Sequence, residues 1–160
     1  MRTQPFILAM QAEGREWVTT FSEAARNSFD YVFTDAMTFL DHKGRRTHLW
    51  VNKEVIIDDE QAYMDMMLDR ICSVLEEPVD MYVNSCFLPD AMSDRYDMFW
   101  TEERIDRFVN ALAKSGKALE INELYHIPNK AIIQKAKAAA SGYDMFHEKI
   151  QVGGQAVLGR

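Results

Sequence analysis

Residues 101–122, TEERIDRFVNALAKSGKALEIN, contain a complete helix–strand unit, and the rest of the chain repeats this pattern. Thr101 is a typical helix N-cap, and Gly116 supplies the left-handed residue that commonly ends a helix. The apolar strand 118–121 follows at once and ends in a polar residue, Asn122. Between cap and glycine, apolar residues recur at intervals of three and four, as on one helix face: Ile105, Phe108, Val109 and Leu112.

The same alternation of strand and helix is predicted along most of the chain. Strands are predicted at residues 6–12, 30–36, 79–83 and 118–121, and helices at residues 16–27, 59–77, 101–115 and 129–140. Strands that are apolar throughout and alternate with helices indicate a mostly parallel sheet, in a barrel or a doubly wound fold. The predicted fold class is therefore α/β, and four such units make about half of a TIM-like β/α barrel.

Residues 1–140 are expected to form this partial barrel domain, and residues 141–160 a poorly ordered tail with several glycines. With 48% hydrophobic and 27% charged residues among 160, the composition is that of one globular domain.

The net charge of −7 argues against nucleic-acid binding, because the field of the protein repels phosphate backbones. Two scattered cysteines indicate no disulfide framework and favour the cytoplasm. No apolar stretch approaches the ~20 residues of a membrane span.

Polar residues end every predicted strand, at the edge where parallel α/β folds place their sites. These residues are Glu13, Asp35, Asn84, Glu120 and Asn122. Converging oxygen donors suit hard cations such as Mg²⁺ or Mn²⁺, and an added histidine would suit zinc. The long polar connection 41–46 contains such a histidine, His42, and is long enough to be functional.

Each of these residues also has a purely structural interpretation. Glu13 could pair with Arg15, and Asp35 could accept backbone N–H bonds in the turn after its strand. His42 could be an ordinary exposed loop residue. The two asparagines could satisfy loop backbone groups, and Glu120 shares a face of its strand with Asn122.

Four segments carry a resemblance to the PHP (polymerase and histidinol phosphatase) superfamily of metal-dependent hydrolases. They are residues 10–16 (MQAEGRE), 29–33 (FDYVF), 79–84 (VDMYVN) and 118–122 (ALEIN). The resemblance covers roughly residues 6–140 and implies a distorted β/α barrel that holds two or three metal ions. Asn84 departs from the family, which often has a histidine there. The family's opening His-x-His motif is missing, and Asp144 and His147 are poor substitutes for its closing Asp-x-His.

The resemblance implies a phosphoesterase-type hydrolase that acts on a small phosphorylated or otherwise anionic substrate with a divalent metal, Zn, Mn or Fe. Its metal ligands would be Glu13, Asp35 and His42, its catalytic residues Asp35 and Glu120, and its substrate-binding residues Arg15, Arg45, Asn84 and Asn122. A phosphate would be clamped by one of the two arginines. The alternative is a non-catalytic half-barrel scaffold whose exposed strand edges pair with another copy, giving a homo-oligomer.

Overall fold

The computed structural model describes residues 7–141, 148–152 and 155–159. The strands are β1 (Ala9–Ala12), β2 (Tyr31–Thr34), β3 (Thr38–Leu40), β4 (Arg46–His48), β5 (Met81–Tyr82), β6 (Ala118–Ile121), β7 (Glu148–Val152) and β8 (Gln155–Gly159). The helices are α1 (Trp17–Thr20), α2 (Glu23–Arg26), α3 (Glu60–Val74), α4 (Asp90–Ser93), α5 (Tyr96–Phe99), α6 (Glu102–Ser115) and α7 (Lys130–Ser141).

A six-stranded sheet in the order β1-β2-β5-β6-β8-β7 forms the centre of the fold. Its first four strands are parallel, and each lies beside the one that precedes it in this sheet along the chain. Strands β8 and β7 extend the sheet in antiparallel fashion beyond β6. The prediction of an α/β fold with parallel strands alternating with helices is thus confirmed.

One face of this sheet packs against the long helices and forms the main core. Tyr82 of β5 and Leu119 of β6, which are partners in register, lie in this core together with Phe108 of α6 and Ile132 of α7. Tyr82 and Phe108 meet edge to face, with ring centroids 6.2 Å apart. Burial of such side chains is the main source of stability in a domain of this size.

The opposite face, here called the second sheet face, has a much smaller apolar cluster. Met81 and Val83 are buried there, and half-buried apolar side chains pack against them: Tyr31, Phe33 and Ala118. Phe33, Met81 and Ala118 lie side by side on three neighbouring strands. The sheet therefore has apolar side chains on both faces, as parallel sheets usually do.

The long helices begin and end where the sequence indicates. Asp59 caps α3 by accepting hydrogen bonds from the backbone N–H groups of Gln61 and Ala62. Thr101 caps α6, and Gly116 ends that helix with a φ of 64°. These short-range interactions satisfy backbone groups that a helix end otherwise leaves unpaired.

Two expectations about the first third of the chain are corrected. The helix predicted at residues 16–27 is two short helices, because Phe21 is extended and Ser22 caps a new helix by accepting from Ala25 N–H. The connection 41–46, interpreted as a long loop, is largely the turn of a hairpin formed by β3 and β4. Asp41 closes that turn by accepting the backbone N–H groups of Lys43 and Arg45.

The range 141–160, expected to be a poorly ordered tail, contributes β7 and β8 to the sheet. The substitutes proposed for a closing metal motif, Asp144 and His147, lie outside the described residues. Among the helices of the described part, none combines the length and apolar character that a bilayer crossing requires.

Arg104 ties α6 to α3 and to the aromatic segment before α6. Its buried guanidinium donates to the Asp65 carboxylate (2.8 Å), to the Gln61 side chain (2.8 Å) and to the backbone carbonyl of Phe99 (3.0 Å). Arg107, one turn later on α6, makes an exposed ion pair with Asp69 of α3. The two arginines thus make similar bridges at different depths.

We expect Arg104→Met to lower the free energy of unfolding by about 1–3 kcal/mol, because it leaves the buried backbone carbonyl of Phe99 without its donor. The matched change Arg107→Met should cost at most about 1 kcal/mol, the range of exposed ion pairs. Equilibrium unfolding in urea measures both. Equal losses in the two variants would contradict the structural role given to Arg104.

Candidate functional site

Five polar residues meet at the carboxyl-terminal edge of the parallel sheet. This rim cluster consists of Glu13 after β1, Asp35 after β2, Asn84 beyond β5, Glu120 in β6 and Asn122 after β6. Asp35, Glu120 and Asn122 are 8%, 3% and 1% exposed, so the cluster is largely withdrawn from water. Glu13 is exposed and Asn84 half-buried, so the cluster has an accessible side.

Asn84 connects three other members of the cluster, Glu120, Asp35 and Asn122. Its backbone N–H donates to Glu120 Oε2 at 2.6 Å, and its side chain hydrogen-bonds Asp35. Its Oδ1 accepts from Asn122 Nδ2 at 3.2 Å. Asn84 has a φ of 48°, a left-handed conformation that asparagine tolerates better than most residues. Because of this turn, both the backbone N–H and the side chain of Asn84 point toward other residues of the rim cluster.

Asn122 shapes the loop that follows β6. Its Oδ1 accepts the backbone N–H groups of Leu124 (3.0 Å) and Tyr125 (3.1 Å), and its backbone forms a bridge with Ile127. The structural role that the sequence suggested for this asparagine is present. Its amide still reaches the cluster through Asn84.

Burial raises the pKa of Asp35, and the nearby charge of Glu13 acts in the same direction. Hydrogen bonds from the Met37 backbone N–H and from Asn84 oppose this rise. Burial also raises the pKa of Glu120, where the bond from the Asn84 backbone N–H opposes the rise and the Asp35 charge adds to it. A buried carboxyl group whose ionisation is disfavoured by a second one nearby is suited to holding and exchanging a proton.

Glu13 lies at the outer side of the cluster, where Thr38 Oγ1 donates to its Oε1 at 2.7 Å. Thr38 opens β3, in the hairpin that the sequence did not reveal. It is a member of the site that sequence reasoning missed. A threonine three residues after a strand-ending aspartate carries no signal that could have identified it.

His42 is placed apart from the other two predicted metal ligands. It is exposed in the turn between β3 and β4 and lines a surface depression with Asp58, Asp59 and Tyr63 of the α3 region. Within the described ranges, no three His, Cys, Asp or Glu side chains are grouped so that they could hold a metal ion.

Both arginines predicted to clamp a phosphate contact acidic residues of the chain. Arg15 Nε lies 3.4 Å from the buried Glu77 Oε1, whose other oxygen accepts from the Trp17 indole N–H. Arg45 donates through Nε (2.8 Å) and Nη2 (2.5 Å) to Asp41 Oδ2 within the hairpin turn. The structure therefore gives both arginines structural partners away from the rim cluster.

Glu120→Gln should stabilise the protein at high pH. Because the folded-state pKa of Glu120 is raised, wild-type stability falls as the pH rises from the unfolded pKa through the folded one. Glutamine keeps an acceptor oxygen for Asn84 N–H and does not titrate. The variant's advantage should therefore disappear below pH 4.5, the ordinary glutamate pKa.

Urea unfolding over a range of pH measures this difference, with Glu123→Gln as control because Glu123 is exposed three residues later. The control should follow the wild type at every pH. An advantage for Glu120→Gln that is the same at all pH values would show that the burial of charge is not its cause.

Comparisons with known proteins do not identify a relative of this chain. No family model, no curated protein and no solved structure matches the chain. The resemblance to the PHP superfamily therefore stays a prediction that rests on the sequence segments quoted above. The rim cluster is the observation from which a function can be argued.

Proposed function

We propose that this chain is part of a β/α-barrel hydrolase that acts on a small anionic substrate and uses the rim cluster for acid–base chemistry. The observation that carries the proposal is the pair of buried carboxyl groups, Asp35 after β2 and Glu120 in β6, both held by Asn84, which follows the strand between them, β5. Such edges are where α/β enzymes place their reacting groups. A phosphorylated substrate is the class that the PHP resemblance favours.

The order of the four parallel strands, but not that of the antiparallel β8 and β7 beyond them, supports a barrel of the TIM-like, PHP type. The four parallel strands follow one another in chain order without the reversal that marks a doubly wound sheet. Glu120 lies two residues after Ala118, so both belong to the second sheet face, away from the helices. In a barrel that face is the interior, and its carboxyl-terminal end is the mouth of the site.

The two carboxyl groups are suited to different roles. Asp35 accepts two hydrogen bonds, from Met37 N–H and from Asn84, which favour its charged form. Glu120, which is 3% exposed against 8% for Asp35, accepts from the Asn84 backbone N–H. Asp35 would therefore take the proton from an attacking water, and Glu120 would give its proton to the leaving oxygen as the bond to that oxygen breaks. Asn84 and Asn122 would orient the substrate.

The described residues do not fit the metal centre that the resemblance implies. The rim carboxylates are oxygen donors of the right kind, but no three potential ligands are grouped among them and His42 lies in a different depression. In the mechanism proposed here, Asp35 and Glu120 make both proton transfers.

A reducing, cytoplasmic location is part of the same proposal. Cys72 and Cys86 are both free, and Cys86 is fully buried. Free thiols are usual in reducing compartments, where disulfides rarely persist.

The test is hydrolysis of p-nitrophenyl phosphate and bis(p-nitrophenyl) phosphate, both anionic esters, by the wild type, Asp35→Asn, Glu120→Gln and the control Glu123→Gln. Loss of an acid or a base should reduce kcat by about 10²–10⁴-fold, and the control should keep the wild-type rate. Circular dichroism of each variant separates loss of chemistry from loss of fold.

Two outcomes would contradict this proposal. If the wild type hydrolyses neither ester faster than buffer alone, the proposed activity is wrong. If neither substitution changes the rate, the roles given to Asp35 and Glu120 are wrong. Each assay is repeated with EDTA and with added Mn²⁺. A rate that requires Mn²⁺ would show that a metal completes the site and would overturn the metal-free mechanism.

The second sheet face favours a second candidate, a scaffold that associates with another copy of itself. Half-buried Tyr31, Phe33 and Ala118 surround the buried Met81 there. Strand β1 forms one end of the sheet. An apolar sheet face next to an end strand is a surface that association would cover.

For this candidate we expect a mass in solution of twice 18.5 kDa and a monomer for Phe33→Lys. The matched control is Phe21→Lys, because Phe21 is 41% exposed and lies after α1, outside the second sheet face. Sedimentation equilibrium distinguishes the two masses. A wild-type monomer at high concentration would rule out this candidate and leave the hydrolase proposal untouched.

A further inference from the structure

A pocket of about 150 Å³ lies beside the rim cluster, between the loop after β1, the hairpin and helix α3. It is lined by Gly14, Arg15, Glu16, Thr38, Phe39, Leu40, Arg46 and Arg70. Thr38 is also the donor to Glu13, so this arginine pocket adjoins the outer side of the cluster. Three guanidinium groups against one carboxylate make its lining positive, although the chain as a whole carries −7.

Two of its arginines have no acidic partner in the described part of the chain. Arg70 Nη2 donates to the Leu40 carbonyl at 3.2 Å, and its buried Nε has no hydrogen-bond partner there. Arg46 is exposed and its Nη2 lies 3.4 Å from the position that a Cβ on Gly14 would occupy. By contrast, four arginines elsewhere in the described chain contact carboxylates at 2.5–2.7 Å: Arg45, Arg95, Arg104 and Arg107.

The glycine at position 14 keeps the pocket open. With a φ of 68°, Gly14 turns the chain after β1, and a Cβ there would lie 2.7 Å from Glu16 Oε2. A side chain at this position would therefore displace the groups that line the pocket. Phe39 and Leu40 give the remaining wall apolar character, which strengthens an electrostatic interaction inside it.

We propose that Arg46 and Arg70 form a binding site for a small oxyanion, a carboxylate or a phosphoryl group, in the arginine pocket. Guanidinium groups match both oxyanions because their N–H donors can form paired, charge-assisted hydrogen bonds. Arg46 is exposed and offers such donors to a ligand in the pocket, and Arg70 adds a second positive charge to the same lining. Arg15 lines the same pocket with its Nε 3.4 Å from the Glu77 carboxylate, and it adds to the positive field there. Binding here does not require that the rim carboxyl groups catalyse a reaction.

Isothermal titration of the full chain with inorganic phosphate and with acetate tests this site, with chloride holding the ionic strength constant. At least one of the two should bind, and the stronger one identifies the class. Arg46→Gln and Arg70→Gln should each weaken binding by about tenfold or more, the loss of one charge-assisted bond. The control Arg107→Gln removes the same charge from an exposed ion pair on α6 and should change affinity by less than about twofold.

Absence of binding by either oxyanion, or wild-type affinity in both Arg46→Gln and Arg70→Gln, would overturn the site. An equal loss in Arg107→Gln would also overturn it, because general attraction to positive charge would then explain the binding. Arg46 is exposed, so its variant keeps the test valid if Arg70→Gln fails to fold. Glu120→Gln should bind the oxyanion like the wild type even where it abolishes hydrolysis, which separates this site from the proposed chemistry.

Discussion

Asn84 is the residue on which the arrangement of the sheet's carboxyl edge depends. It leaves β5 in a left-handed conformation, and that turn aims its N–H at Glu120 and its amide at Asp35 and Asn122. Without these bonds the buried Glu120 would lose its backbone donor, and Asp35 would be left with the Met37 N–H, so the cost of burying both carboxyl groups would rise. The ends of β2, β5 and β6 are therefore held together by polar bonds at the place where their apolar side chains stop.

The helix ends were predictable from the sequence where the residues that mark them interact with residues only a few positions away. Asp59, Thr101 and Gly116 mark helix ends through bonds to residues within a turn, so short stretches of sequence contain all the required information. The hairpin of β3 and β4 was missed because each strand has three residues, too few for an alternating pattern to show. The break at Phe21 was missed because the flanking residues continue a helical pattern through it.

In the candidate site, the positions of the residues were predictable from the sequence, but the partners of the long side chains were not. The ends of parallel strands must share one edge, so the positions of Glu13, Asp35 and Glu120 followed from the strand pattern. The partners of long side chains did not follow, because an arginine can reach in many directions from its Cα. Arg15 extends to Glu77, sixty-two positions later in the chain, and Arg45 folds back onto Asp41.

The order in which the parallel strands lie has a consequence for how the chain can fold during synthesis. Strand β2 pairs with β1, β5 with β2, and β6 with β5, so each new strand of the parallel sheet needs only a partner that has already been made. Chains whose contacts join neighbouring units lose little entropy in closing each loop, and domains emerge from the ribosome amino terminus first. The parallel sheet can therefore grow one strand at a time at its β6 side, with the polar edge completed only when Glu120 and Asn122 arrive.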